Sequence, residues 1–222
     1  MRVDVFTAGM YEGDGVAFDA LAIRDTLRAW WDAYLRVPPP DLPAEVRLAE
    51  VKLSAPLGPY RLAARFDLLA MTRGERAVIV DWKTALRRPG REDLARRLQT
   101  RVYPYVMAEA GAHLFGGPVE PEQVTLVYWF ASAPAAPEVF RYNVATHQEN
   151  RAVLSGLAEE ILAREDEVWP LAPDTDHCRY CVYRSLGERG TRAGSLHDAA
   201  DADLLEAAAL DFEIEDLDEI AF

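Results

Sequence analysis

An apolar run that ends abruptly in charge constrains this chain more than any other feature: residues 77 to 80, Ala-Val-Ile-Val, pass directly into Asp81, Trp82 and Lys83. Such a run, preceded by the turn-forming "TRGE" and by a second strand-like run "YRLAARFDLLAM", reads as one arm of an antiparallel pair. Strand side chains alternate between faces, so Asp81 and Lys83 point one way and Trp82 the other. A short hairpin can bring Asp67, in the first arm, level with them.

Around this pair the chain alternates between helical and strand periodicity. "FDALAIRDTLRAWWDAYL" (18–35) predicts a helix that stops before the proline-rich connector "VPPPDLP", and "EVRLAEVKLSAPL" alternates in part as a strand. "REDLARRLQTRVYPYVMAEAGAHLFGG" predicts a helix kinked at Pro104 and closed by Gly-Gly. "QVTLVYWFAS" and "EVFRYNV" are strands flanking "APAAP", and Thr146 is the expected cap of a helix over "THQENRAVLSGLAEEILARE". The division that follows is a helical segment with its linker (1–44), a domain of mixed helices and strands (45–197) and an acidic tail (198–222).

Charge is unevenly spread. The formal net charge is −13, and residues 198–222 hold ten acids and no base, which leaves −3 for the rest. Residues 83–101 carry seven cations against Glu92 and Asp93, a local +5 that suits phosphates whatever the overall balance. No apolar stretch approaches the roughly twenty residues needed to span a bilayer, so no membrane association and a cytoplasmic location are expected. Cys178 and Cys181, three apart, have the spacing of a metal or redox pair rather than of a cytosolic disulfide.

Two carboxylates converging beside a lysine at a strand end offer a hard divalent cation its oxygen ligands, with positions left for water and a phosphate. The ammonium then orients or helps to deprotonate an attacking water, or offsets charge on the phosphorus. An isolated Asp-X-Lys is more often an edge salt bridge, so the context decides between the two.

That context is a series of motifs. "ARFD", "VIVDWKT" and the helical "QTRVY" stand in order and at suitable spacing, with Glu50 in a preceding strand. Over about residues 45–190 the chain resembles the PD-(D/E)XK nuclease superfamily in its RecB-like branch. The resemblance implies an α/β (α+β) restriction-endonuclease-like core, a mixed sheet flanked by helices, with Mg²⁺ or Mn²⁺ in the site and DNA as substrate. It makes Asp67 and Asp81 metal ligands, the main-chain carbonyl of Trp82 a further ligand, and Lys83 the catalytic lysine, with Glu50 as an added acidic member. By the same resemblance Gln99 and Tyr103, one helical turn apart, would line the site and touch DNA. Arg87, Arg88, Arg97 and Arg101 lie where its backbone would run.

The sequence departs from that branch in two places. Its iron-sulfur members use four cysteines, whereas only Cys178 and Cys181 are present and Gly187 stands at the third position of the cysteine box, so no cluster is expected. Many members also place a histidine before the catalytic strand, and all four histidines here (His113, His147, His177, His197) follow Lys83. Two readings therefore stand: a metal-dependent DNA nuclease of repair, mobile-element or defence systems, or a nuclease-fold module that binds DNA or assembles complexes without cleaving. The ending "DFEIEDLDEIAF" adds a possible docking site for a protein partner, or a solvated tail.

Overall fold

The computed structural model describes residues 20–84, 88–164, 178, 181 and 183–192. Among them, α1 (Ala20–Arg36) leads into three strands, β1 (Val46–Leu57), β2 (Tyr60–Thr72) and β3 (Arg76–Lys83). Helices α2 (Arg91–Arg96), α3 (Leu98–Ala110) and α4 (Ala112–Phe115) and a 3₁₀ turn (Pro121–Gln123) lead to β4 (Val124–Phe130), β5 (Glu138–Arg141) and α5 (Val144–Ala163).

The five strands form one sheet in sequence order. Three of the four pairings are antiparallel, and β3 with β4 is parallel. A parallel pair needs a long crossover, which α2 to α4 provide. The tight reversals rest on glycine at positive φ: Gly58 at +60° opens the two-residue β1–β2 turn, and Gly74 at +71° sits between β2 and β3.

β3 is central and buried on both faces. Ala77 and Ile79 join the larger core with residues of α3, whereas Val78 and Val80 join a smaller one with Ala33 of α1. Each fully buried side chain of valine or isoleucine size contributes about 1.5–3 kcal/mol, which explains why this run tolerates two charges at its end. On the α1 face, Tyr34, Trp82 and Trp129 meet edge to face, and the Trp129 indole N–H donates to the Val37 carbonyl at 3.0 Å. Helix α1 and its connector thus pack on the same sheet as α3, on its opposite face.

β1 and β2 bend together. In β1 the inward residues are Val46 and Leu48, then Val51, Leu53, Ala55 and Leu57; in β2 they are Met71 and Leu69, then Phe66 and Ala64. Each strand changes parity once, at Glu50 and at Asp67, and these two lie level because Ala49 pairs with Leu68 and Val51 with Phe66. Glu50 takes φ +53°, which for a non-glycine residue marks a sharp local bend. The far halves of both strands curl onto α3, and Phe66 packs edge to face on Tyr103 at 5.1 Å.

Two sequence expectations change. The helix after β3 breaks at Arg97, whose ψ of 141° is extended, and Pro104 lies inside α3 rather than at the division. The cap of α5 is Asn143, whose side chain accepts the Thr146 N–H at 2.9 Å, so Thr146 is a first-turn residue and not the cap. The acidic tail, Arg87 and His177 lie outside the described residues.

Candidate active site

The β2–β3 register pairs Leu68 with Val80, and its next step places Asp67 level with Asp81. The β2–β3 ladder ends there because β2 bends away. The Asp67 carboxylate takes over, accepting the Trp82 N–H through Oδ2 at 2.8 Å. The N–H and C=O of one strand residue point to the same edge. Consistently, the Lys83 carbonyl accepts the Ala131 N–H from the opposite side at 2.9 Å. The Trp82 carbonyl therefore faces the Asp67 side, with oxygen donors near the acidic strand end.

Asp81 and Lys83 share the α3 face. They are 1% and 3% exposed, and Lys83 Nζ stands 2.9 Å from Asp81 Oδ2. A buried ion pair needs further hydrogen bonds to offset desolvation of both charges. Gln99, on the first turn of α3, supplies them: its Nε2 donates to Asp81 Oδ1 at 2.5 Å and to the Tyr103 hydroxyl at 2.9 Å, while its Oε1 accepts from Lys83 Nζ at 3.1 Å. The amide can hold only this way round, since a flip would set NH₂ against the ammonium and C=O against the carboxylate.

Other expected members lie further off or are otherwise engaged. Glu50 stands level with Asp67 in the main chain, but its carboxylate is 65% exposed and 3.5 Å from Arg65. Arg88 pairs with Glu138 and packs on the Phe130 ring; Arg91 reaches the same carboxylate at 2.8 Å and stacks over Phe140 at 4.3 Å. Arg101 does not point along the site, because its guanidinium bridges to Glu149 and Asn150 of α5, each at 2.9 Å. Arg97 occupies the break between α2 and α3 rather than sharing a helix with Arg101. The Cys178 and Cys181 thiols are free, and the Cys181 N–H donates to the Cys178 carbonyl.

Tyr128 and Thr100, which no motif in the sequence marks, also join this cluster. Tyr128 of β4 is level with Asp81 in the parallel register, fully buried, with Lys83 Nζ 5.4 Å from its ring centroid. Burial pushes its phenol well above the ordinary range, so it stays neutral. Its signal was present in "TLVYWF", but a tyrosine in an apolar strand reads as core until its neighbours are known.

Among the described residues no group of three or more His, Cys, Asp or Glu side chains gathers into a metal centre. The donors around Asp81 are nonetheless hard oxygens, two carboxylates and a carbonyl. Mg²⁺ and Mn²⁺ accept such a set while keeping several waters, so the residues fit a cation of this kind.

Residues 9–186 match the family model of the PD-(D/E)XK nuclease superfamily. No curated protein matches the chain significantly. Among solved structures it is similar to SSO0001, with 16% identity and a TM-score of 0.42, covering 75% of this chain and 69% of that one. It is also similar to a protein from Eubacterium rectale described as a candidate exonuclease, with 15% identity and a TM-score of 0.39 over 60% of this chain and 51% of the other. The chain spans about half the length of that second protein.

Proposed function

Since the chain belongs to the PD-(D/E)XK nuclease superfamily, we propose that it is a Mg²⁺- or Mn²⁺-dependent deoxyribonuclease of the RecB-like branch. The observation that carries this reading is the buried Asp81–Lys83 pair, tied by Gln99 to Tyr103, with Asp67 across the strand. A purely structural sheet end has no use for such a cluster, because apolar residues of the same volume would be at least as stable.

In this reading Asp67, Asp81 and the Trp82 carbonyl hold the cation. When bound it supplies positive charge to the phosphate oxygens and lowers the pKa of coordinated water. Lys83 orients the attacking water through its ammonium protons and offsets charge on the phosphate. The water oxygen forms a bond to phosphorus and gives up a proton to solvent, the bond to the opposite 3′ oxygen breaks, and that oxygen takes up a proton, leaving a 3′ hydroxyl and a 5′ phosphate. Gln99 keeps Lys83 and Asp81 in mutual register throughout. Repair, mobile-element turnover and defence are the settings in which such an activity belongs.

End-labelled linear and circular DNA incubated with Mg²⁺ or Mn²⁺ tests the proposal. Wild type should cleave and should stop on chelation, and Lys83→Ala and Asp81→Asn, checked for folding by circular dichroism, should lose at least about a hundredfold in rate. Folded wild type that binds DNA without cleaving it under any divalent cation would leave the non-catalytic module as the correct reading.

A further inference from the structure

Gln99 links the carboxylate, the ammonium and Tyr103, yet it sits on the first turn of α3, directly after the extended break at Arg97. The first N–H groups of a helix have no partner within the helix, so main chain alone restrains this turn weakly. Two hydroxyls restrain it instead. Thr100 Oγ1 lies 2.5 Å from the Leu94 carbonyl, which can only accept, so the single Thr100 hydroxyl proton goes there. The 2.8 Å contact between Thr100 Oγ1 and Tyr128 Oη is then a bond donated by Tyr128. The Leu94 carbonyl also accepts the Arg97 N–H at 3.1 Å. The relay from Tyr128 through Thr100 to Leu94 therefore straddles the helix break and fastens the start of α3 to β4, in line with Asp81. Tyr128 Oη also lies 3.5 Å from Gln99 Oε1, and its ring faces Lys83.

We propose that Tyr128 and Thr100 are positioning residues, a hydroxyl clamp that fixes where the Gln99 amide meets Asp81 and Lys83. The clamp is a property of the resting protein. Its consequence for catalysis rests on the nuclease reading given above.

Two measurements on the full chain test it. The first needs no metal and no substrate: the side-chain N–H₂ resonances of Gln99 in a ¹H–¹⁵N spectrum. In Thr100→Val, nearly the same shape without the hydroxyl, and in Tyr128→Phe, these resonances should move toward those of solvated amides; in Thr100→Ser they should stay. The double variant should shift them by less than the two single shifts added, because the Tyr128–Thr100 bond is lost in each single variant already. The second is cleavage at saturating Mg²⁺: kcat should fall about tenfold in the Val and Phe variants with KM for DNA unchanged, as expected for misplacement of a catalytic group. Thr100→Ser should restore the rate to within about twofold. Should Tyr128→Phe fail to fold, Thr100→Val removes the other end of the same bond and carries the test. Folded Val and Phe variants with wild-type Gln99 resonances would overturn the clamp. If the resonances move as expected but wild type cleaves nothing, the clamp stands and the nuclease assignment falls.

Discussion

Replacing Lys83 by methionine isolates the energetics of the site. Methionine matches the lysine stem in length and fills the same space, so the change removes chiefly the ammonium. Because Asp81 and Lys83 are 1% and 3% exposed, solvent screens the pair little, and the carboxylate left behind stays desolvated. Breaking a buried pair from one side costs about 3–5 kcal/mol; the Gln99 N–H on Asp81 Oδ1 persists, which argues for the lower end, about 3 kcal/mol. That is a large share of a total stability of roughly 5–15 kcal/mol. In urea with chelator, the midpoint should drop by about 1 M or more, given a slope of about 2–3 kcal/mol per molar for a chain of this size. The decisive comparison is Asp81→Leu with Lys83→Met together. Removing both charges should cost less than the two single changes added, by at least about 2 kcal/mol, since neither charge is then stranded. A double variant as unstable as the sum would mean that the two groups do not compensate each other, and the electrostatic account of the strand end would be wrong.

Burial pushes the Tyr128 and Tyr142 phenols above the ordinary value of 10.0. The folded state then keeps protons that the unfolded chain loses, so stability is unchanged below about pH 10 and falls above it, by up to about 1.4 kcal/mol per pH unit for each tyrosine. Thermal melts from pH 9 to 11.5 should steepen accordingly, and Tyr142→Phe should reduce the slope; an unchanged slope would remove Tyr142 from the account. Glu138 holds both Arg88 and Arg91. Glu138→Gln should release them for phosphates and steepen the dependence of DNA affinity on salt by about 1–2 in the logarithmic slope, measured by fluorescence anisotropy; an equal slope would mean that neither guanidinium reaches DNA.

Much of the arrangement was legible because it depends on local periodicity. Strand alternation places Asp81 and Lys83 on one face whatever the rest of the chain does. A glycine turn between two strand-like runs allows Asp67 to come level with them, though the observed strand register sets it there, and the i, i+4 spacing of Gln99 and Tyr103 puts both on one side of a helix. Proline and glycine likewise announced the connector after α1 and the turns. Local signals failed where competing partners were near one another: Thr146 and Asn143 both suit a helix cap, and only the fold selects Asn143. Pro104 suggested a kink, whereas the chain divides at Arg97, where Thr100 and Leu94 meet across the break.

The amino-acid sequence by itself determined the covalent order of donors and the faces on which they stand, since those follow from repeat lengths of two and about three and a half residues. Only the tertiary structure decided which charges remain near the acidic strand end. Pairing of Arg88 and Arg91 with Glu138, of Arg101 with Glu149, and of Tyr128 with Thr100 joins residues 28 to 50 positions apart. Such pairings are set by how the sheet bends and the helices dock, and no periodicity along the chain encodes them.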